Sequence, residues 1–223
     1  MPAKRTPEKA LEAMRGRKIA SLAQLNRLLK ASEPLVEGAT QAVPGEGPAD
    51  AELVFVGEQP GDQEDLAGRP FVGPAGKLLD RALHDAGLDR REVYVTNAVK
   101  HFKFERRGKR RIHQKPTAGE VKHYRWWLEK ELALIRPKLV VALGGTAVLA
   151  MMGKSVPIVR ARGPAHFPDG YDGYVTVHPS SILRAPDADA RALAYRAFVR
   201  DLERVREMAA KHARGPVGVA ALV

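Results

Sequence analysis

The stretch "ELVFVGEQPGDQED", Glu52–Asp65, changes character in its middle, and that change decides the fold. Leu53 to Val56 form a short unbroken apolar run, the pattern of a strand buried on both faces. The run ends at Gly57 in a polar loop, and "KLLDRALHDAG" then reads as a helix closed by Gly87. The same alternation recurs. "EVYVTNAV" (92–99) is a second strand, followed by a long basic loop and by "TAGEVKHYRWWLEKELALIRP" (117–137). In that helix Thr117 and Glu120 have capping-box spacing, and Pro137 lies just past the end. "KLVVALG" (138–144) is a third strand, "GTAVLAMMG" a short helix, and "YVTVHPSSILR" (174–184) a strand ending in a polar turn. A last amphipathic helix runs from about 188 to 212. Upstream, "SLAQLNRLLKAS" is a helix capped by Ser21, and Gly- and Pro-rich loop chemistry fills 37–51.

Short apolar strands alternating with helices imply an α/β fold with a parallel sheet covered on both faces. In such folds ligands gather at the carboxyl ends of the strands. Three chemistry-bearing segments follow strand ends, "GEQPGDQED", "TNAVKHFKF…KRRIH" and "VHPSS", so the topology converges them on one cleft.

Composition narrows the function. The 223 residues suit one domain with a real core, here 19–213, between a basic segment 1–18 and a tail 214–223. No apolar run approaches membrane-spanning length, and the N-terminus lacks the apolar core of a signal peptide, so a cytoplasmic protein without membrane partners is expected. Cysteine is absent, which excludes disulfides, cysteine-ligated metals and thiol nucleophiles. His-x-x-Glu-His spacing is lacking too, and no metal site is expected. Lys and Arg total 37 against 26 acidic residues, a formal charge of +11, clustered most densely in "GKRRIHQKP" (108–116). Such an excess points to a polyanion, with nucleic acid the default. Lys109, Arg110 and Arg111 would hold phosphate, but His113 among them adds a nucleophilic ring nitrogen.

The other segments each offer a chemistry. Gly57 and Gly61 allow close backbone approach to a ligand, and Glu58, Gln59 and Asp62 supply groups to orient a water or a histidine. Phe71, between glycine–proline turns, is either a staple onto the core or a ring for a planar base. Asn97 at a strand end either satisfies loop backbone or reads the edge of a pyrimidine with its paired donor and acceptor. His178 at another strand end can donate to a developing oxyanion, and Ser180 and Ser181 beside it are expected, with the basic loop, at DNA phosphate. Trp126 and Trp127 read as helix packing, while His101 and His123 have no assignment.

Together "GEQPGDQEDLAGRPFVGPAG", "YVTNAVKHFKF", "GKRRIH" and "VHPSSILR" resemble the uracil-DNA glycosylase superfamily, and within it the UdgX group, relatives of the family 4 enzymes. The likeness spans about Ala39 to Arg184. It implies a three-layer α/β/α sandwich around a four-stranded parallel sheet, acting as a monomer on uracil-containing DNA near the nucleoid, preferably single-stranded. Uracil would be excised after leaving the base stack. Then, as in the UdgX group, the loop histidine, by position His113, would bond to C1′ of the deoxyribose and leave a covalent protein–DNA adduct. The resemblance further implies that Phe71 stacks on uracil, Asn97 reads its polar edge and His178 stabilises the uracil anion. Glu58 would orient or deprotonate His113, with Gln59 and Asp62 shaping the pocket. Two other readings are a conventional glycosylase that turns over through water, and a non-catalytic binder of uracil or single-stranded DNA.

One departure stands out. The relatives carry a cysteine-ligated iron–sulfur cluster, whereas Lys30, Glu33 and Tyr124 occupy positions where cysteines are expected. No such cofactor is therefore expected here. A Lys30–Glu33 ion pair and apolar packing around Tyr124 are the expected replacements.

Overall fold

The computed structural model describes residues 16–34 and 38–213. Its central sheet joins β1 (Leu53–Gly57), β2 (Val93–Asn97), β5 (Leu139–Leu143), β6 (Gly163–His166) and β7 (Asp172–Thr176) in the order β2-β1-β5-β7-β6. The first four in that order are parallel neighbours, as the alternating pattern requires, and β6 adds an antiparallel fifth strand at one edge. Residues 163–166, "GPAH", carry no apolar run from which a strand could be read; Pro164 is compatible with pairing on one side only. At the other edge, Glu46 pairs with Val95 and covers the exposed side of β2.

Strand alternation sends side chains to two cores. Val54, Val56, Val140 and Ala142 face a layer containing α1 (Leu22–Lys30), α4 (Ala118–Ile135) and α5 (Gly144–Met152). Leu53, Phe55, Leu139 and Val141 face the opposite layer, α3 (Pro74–Asp85) and the long terminal helix α8 (Ala188–Ala213). The result is the three-layer α/β/α sandwich. Helix boundaries follow their local chemistry. The Ser21 side chain caps α1, Thr117 and Glu120 form the capping box of α4, and Arg136 ends α4 in the left-handed region before Pro137. Trp126 and Trp127 are buried in the α4 packing, as their helical setting suggests.

A buried ion pair braces the exit of β2. Lys100 and Glu131 are both buried and in contact, and Thr96, Tyr94 and the Gly45 amide complete the hydrogen bonding of the carboxylate. Burial pushes the Lys100 ammonium below its ordinary pKa, against the pull of Glu131.

The basic loop of the sequence is ordered as a hairpin. Here β3 (Phe104–Arg107) and β4 (Arg110–His113) pair antiparallel as a separate two-stranded sheet. Apolar alternation is too sparse in "FERRGKRRIH" to announce two strands; Gly108, at φ 60, makes the turn. The remaining helices among the described residues are short: α2 (Asp62–Ala67), α6 (Ile158–Ala161) and α7 (Pro179–Leu183). The expected tail 214–223 and residues 1–15 of the basic segment lie outside the described residues.

Candidate active site

The carboxyl ends of the parallel strands open into a cleft of about 870 Å³ whose walls include Glu58, Phe71, Asn97, His113, Gly144 and His178. Glu58 follows β1, Asn97 ends β2, Gly144 follows β5 and His178 lies just beyond β7. Glycine is required where these elements meet. A Cβ on Gly57 would fall 2.4 Å from Asn97 Oδ1 and 2.6 Å from Phe71 Cζ. One on Gly144, at φ 84, would fall 2.9 Å from the His178 Cβ. Phe71 itself adopts a φ of 56 and sets its ring 6.2 Å from that of His178. Its ring therefore forms part of the cleft wall while being almost wholly buried.

The polar groups are held in defined states. His178 Nδ1 accepts the backbone N–H of Ser180 at 3.2 Å, so in the neutral ring the proton resides on Nε2. Burial lowers the His178 pKa to about 4, outweighing the attraction of Glu58, which keeps the ring neutral and a donor at Nε2. The Ser180 hydroxyl lies 2.8 Å from the same Nδ1, and Ser181 Oγ donates to the His178 carbonyl at 2.7 Å. Both serines therefore orient His178. Glu58 is raised by burial but lowered more by hydrogen bonds from His113 and Thr146 and by both nearby imidazoles, so its carboxyl titrates below the usual range.

His113 ends β4 with its side chain half exposed and Nε2 3.2 Å from Glu58 Oε1. What brings it there is a set of ties at the hairpin base. Gln59 Nε2 donates to the carbonyls of Lys103 and Gln114 at 3.2 and 3.0 Å, while its Oε1 accepts the Lys103 N–H at 3.1 Å. Gln59 thus clamps both legs of the hairpin. Arg111, expected at phosphate, instead turns inward. Its guanidinium bridges Asp62 and Asp65, approaches Thr40 Oγ1 and lies over the Phe102 and Phe104 rings. The sequence presents Arg111 as one of three adjacent cations; only the fold supplies the carboxylates that engage it. Asp62 is correspondingly an anchor for Arg111, at the lip of the cleft. Lys109 and Arg110 remain exposed at the hairpin tip, and Lys115 adds a cation to the cleft wall.

Three contributors escaped the reading of the sequence. Thr146 donates to Glu58, and its place directly after a strand end was the available signal. Glu64 accepts from the amides of Gly61 and Gly73 at 3.0 and 2.6 Å, tying the two glycine-rich loops together. Asp65 is fully buried and also receives the Thr40 amide. Both acids sit in a segment where polarity alone suggests an ordinary solvated turn.

The profile of the uracil DNA glycosylase superfamily matches residues 44–203, and with them all four parallel strands and the cleft. This chain belongs to the uracil DNA glycosylase superfamily. It is 37% identical to the Type-4 uracil-DNA glycosylase of Thermotoga maritima over 180 residues, 80% of this chain and 88% of that one. Against the Type-4 enzyme of Archaeoglobus fulgidus it is 38% identical over 66% of this chain and 74% of that one. A Type-5 uracil-DNA glycosylase from Pyrobaculum aerophilum is 32% identical over 63% and 66%.

The iron–sulfur cluster that the resemblance implies does not fit this member of the superfamily. The chain has no thiolate to ligate iron, and the described residues contain no group of three or more His, Asp or Glu arranged for a metal. Tyr124 is buried and shares a 2.7 Å hydrogen bond with His101 Nδ1, whose pKa burial lowers to about 4. Packing at Tyr124 thus takes the expected form, with a polar partner added. The expected Lys30–Glu33 ion pair is absent among the described residues: α1 stops at Lys30, so the helical spacing never forms, and both side chains are exposed.

Proposed function

We propose that the protein excises uracil from single-stranded DNA and then captures the DNA covalently through His113, as in the UdgX group. The observation that carries this reading is the contact of the exposed His113 imidazole with the ionised, half-enclosed Glu58. An exposed imidazole facing a cleft at the ends of four strands has room for a sugar at its nitrogen.

The steps balance. An extruded deoxyuridine enters the cleft with its base against Phe71 and its polar edge at Asn97. The C1′–N1 bond breaks, its electron pair stays with uracil, and His178 Nε2–H donates to the oxygen where negative charge grows. The neutral ring suits this task, because it stabilises the anion without a proton having to be transferred. Glu58 faces the positive charge growing on the sugar. A lone pair of the His113 ring then bonds C1′, and the remaining proton of the resulting imidazolium passes to Glu58. Lys109 and Arg110 hold the flanking phosphates, and uracil leaves.

The test is a single-stranded oligonucleotide with one deoxyuridine, incubated with protein, boiled in detergent and run on a denaturing gel. A slow band absent with a thymine control, and absent for His113→Ala, is expected. Alkali-sensitive breakage at the uracil position without a slow band would replace capture by ordinary turnover through water. Binding without either product would leave only a DNA-binding role.

A further inference from the structure

Phe71 borders a second cavity, of about 600 Å³, that the uracil reaction does not use. Its polar lining comprises Arg69, Lys77, Arg90 and Arg91 against Glu46 and Asp80, and its apolar wall is formed by Pro48, Pro70, Phe71 and Val72. The carboxylates are matched: Glu46 pairs with Arg69 at 2.7 Å and Asp80 with Arg90 at 3.2 Å. Arg91 pairs with Asp89, an exposed contact outside the lining, and Lys77 is exposed on α3 with no ion pair among the described residues. With Asp89 holding Arg91, the cavity has one unmatched cation, Lys77, beside a greasy wall of prolines, valine and phenylalanine. Holding the local fold together accounts for the Arg69 and Arg90 pairs, but it does not account for Lys77.

We infer that this cavity is a subsite for a nucleotide beyond the immediate neighbour of the deoxyuridine on the same strand, which rests on the DNA reading above. Lys77 takes the phosphate, and the sugar or base lies against Pro70 and Val72. Two observations select DNA as the occupant. The charge balance favours an anion, and the cavity shares one residue, Phe71, with the cleft that would receive the uracil. In this reading the strand runs from the cleft past the Phe71 segment into the cavity. The unusual backbone of Phe71, fixed where a Cβ on Gly76 would strike its carbonyl, keeps this shared wall in place.

The experiment is competition binding of the full chain to two oligonucleotides carrying 2′-fluoro-deoxyuridine, which resists glycosidic cleavage, one extended on both sides and one cut to a single nucleotide on each side. Lys77→Glu should weaken the long oligonucleotide roughly tenfold at low salt and lower its salt slope by about one, leaving the short one unchanged. Asp80→Asn should strengthen only the long one. Lys211→Glu, far along α8, controls for net charge. Equal losses on both lengths, or a Lys77→Glu effect no larger than that of Lys211→Glu, would overturn the subsite. Uracil release by the unaltered protein from the long oligonucleotide made with ordinary deoxyuridine, measured separately, reports the fate of the glycosylase reading.

Discussion

Glu58, Asn97 and His178 leave the ends of parallel strands in the central sheet, whereas His113 arrives on a hairpin that shares no ladder with that sheet. The first set is held by the packed core and by glycines with no room for a side chain. The second is held by a few side-chain ties, Gln59 at the hairpin base and Arg111 between two aspartates. Breaking a glycosidic bond demands fixed donors, which the sheet supplies. Capturing C1′ demands one nucleophile brought to an existing site, which an appended hairpin can do. The two tasks should therefore be separable by mutation.

The largest effects test that separation directly. His113→Ala should abolish the boiling-resistant adduct, a loss of at least ~100-fold, while uracil release measured by alkali cleavage persists. His178→Ala should lower uracil release itself by roughly 100- to 1,000-fold, as expected for a lost donor to a developing anion, and adduct formation should fall with it. If His113→Ala stopped uracil release too, the hairpin would belong to bond cleavage and the contrast would collapse.

A smaller effect probes the ties. Gln59→Ala takes their Gln59 partner from the Gln114 carbonyl and the Lys103 amide, while the Lys103 carbonyl keeps the Gln114 N–H, at a cost of about 1–3 kcal/mol in local or global stability. Adduct formation should slow by roughly tenfold while uracil release changes by less than about threefold, a split visible when both products are timed in one reaction. Equal slowing of both would mean that Gln59 serves the cleft rather than the hairpin.

The same contrast explains what could be read from the sequence. Leu53–Val56, Leu139–Leu143 and the polar residues after them were legible because a buried parallel strand is an unbroken apolar run and its end is where ligands meet. The hairpin was legible only as charge. Arg106, Arg107, Arg110 and Arg111 look alike in sequence, yet Arg107 meets only its near neighbour Glu105, while Arg111 is pinned by Asp62 and Asp65, more than 40 positions away in the chain. Residue type announces which groups can do chemistry; long-range pairing decides which of them are already engaged. Glu64 and Thr146 escaped for the same reason, each acting through a partner that only folding brings near.

A pH effect on stability, without a direct effect on either product, compares the two regions through two histidines. His178 at the sheet and His101, which precedes the hairpin, are both buried, and both stay neutral down to about pH 4. An unfolded histidine titrates near 6.5. Between those values the unfolded chain holds protons that the folded one does not, so each histidine makes the fold less stable as pH falls through that window. The stabilisation is complete above about 6.5, and its slope is up to about 1.4 kcal/mol per pH unit for each histidine. Thermal unfolding of the wild type and of His101→Asn and His178→Asn, followed from pH 7 to 4, isolates each contribution because other groups cancel in the difference. Each variant should lose less stability on acidification than the wild type. A His101→Asn curve parallel to the wild type would mean that the histidine beside Tyr124 is accommodated equally well as a cation, and that their buried contact carries charge rather than a neutral hydrogen bond.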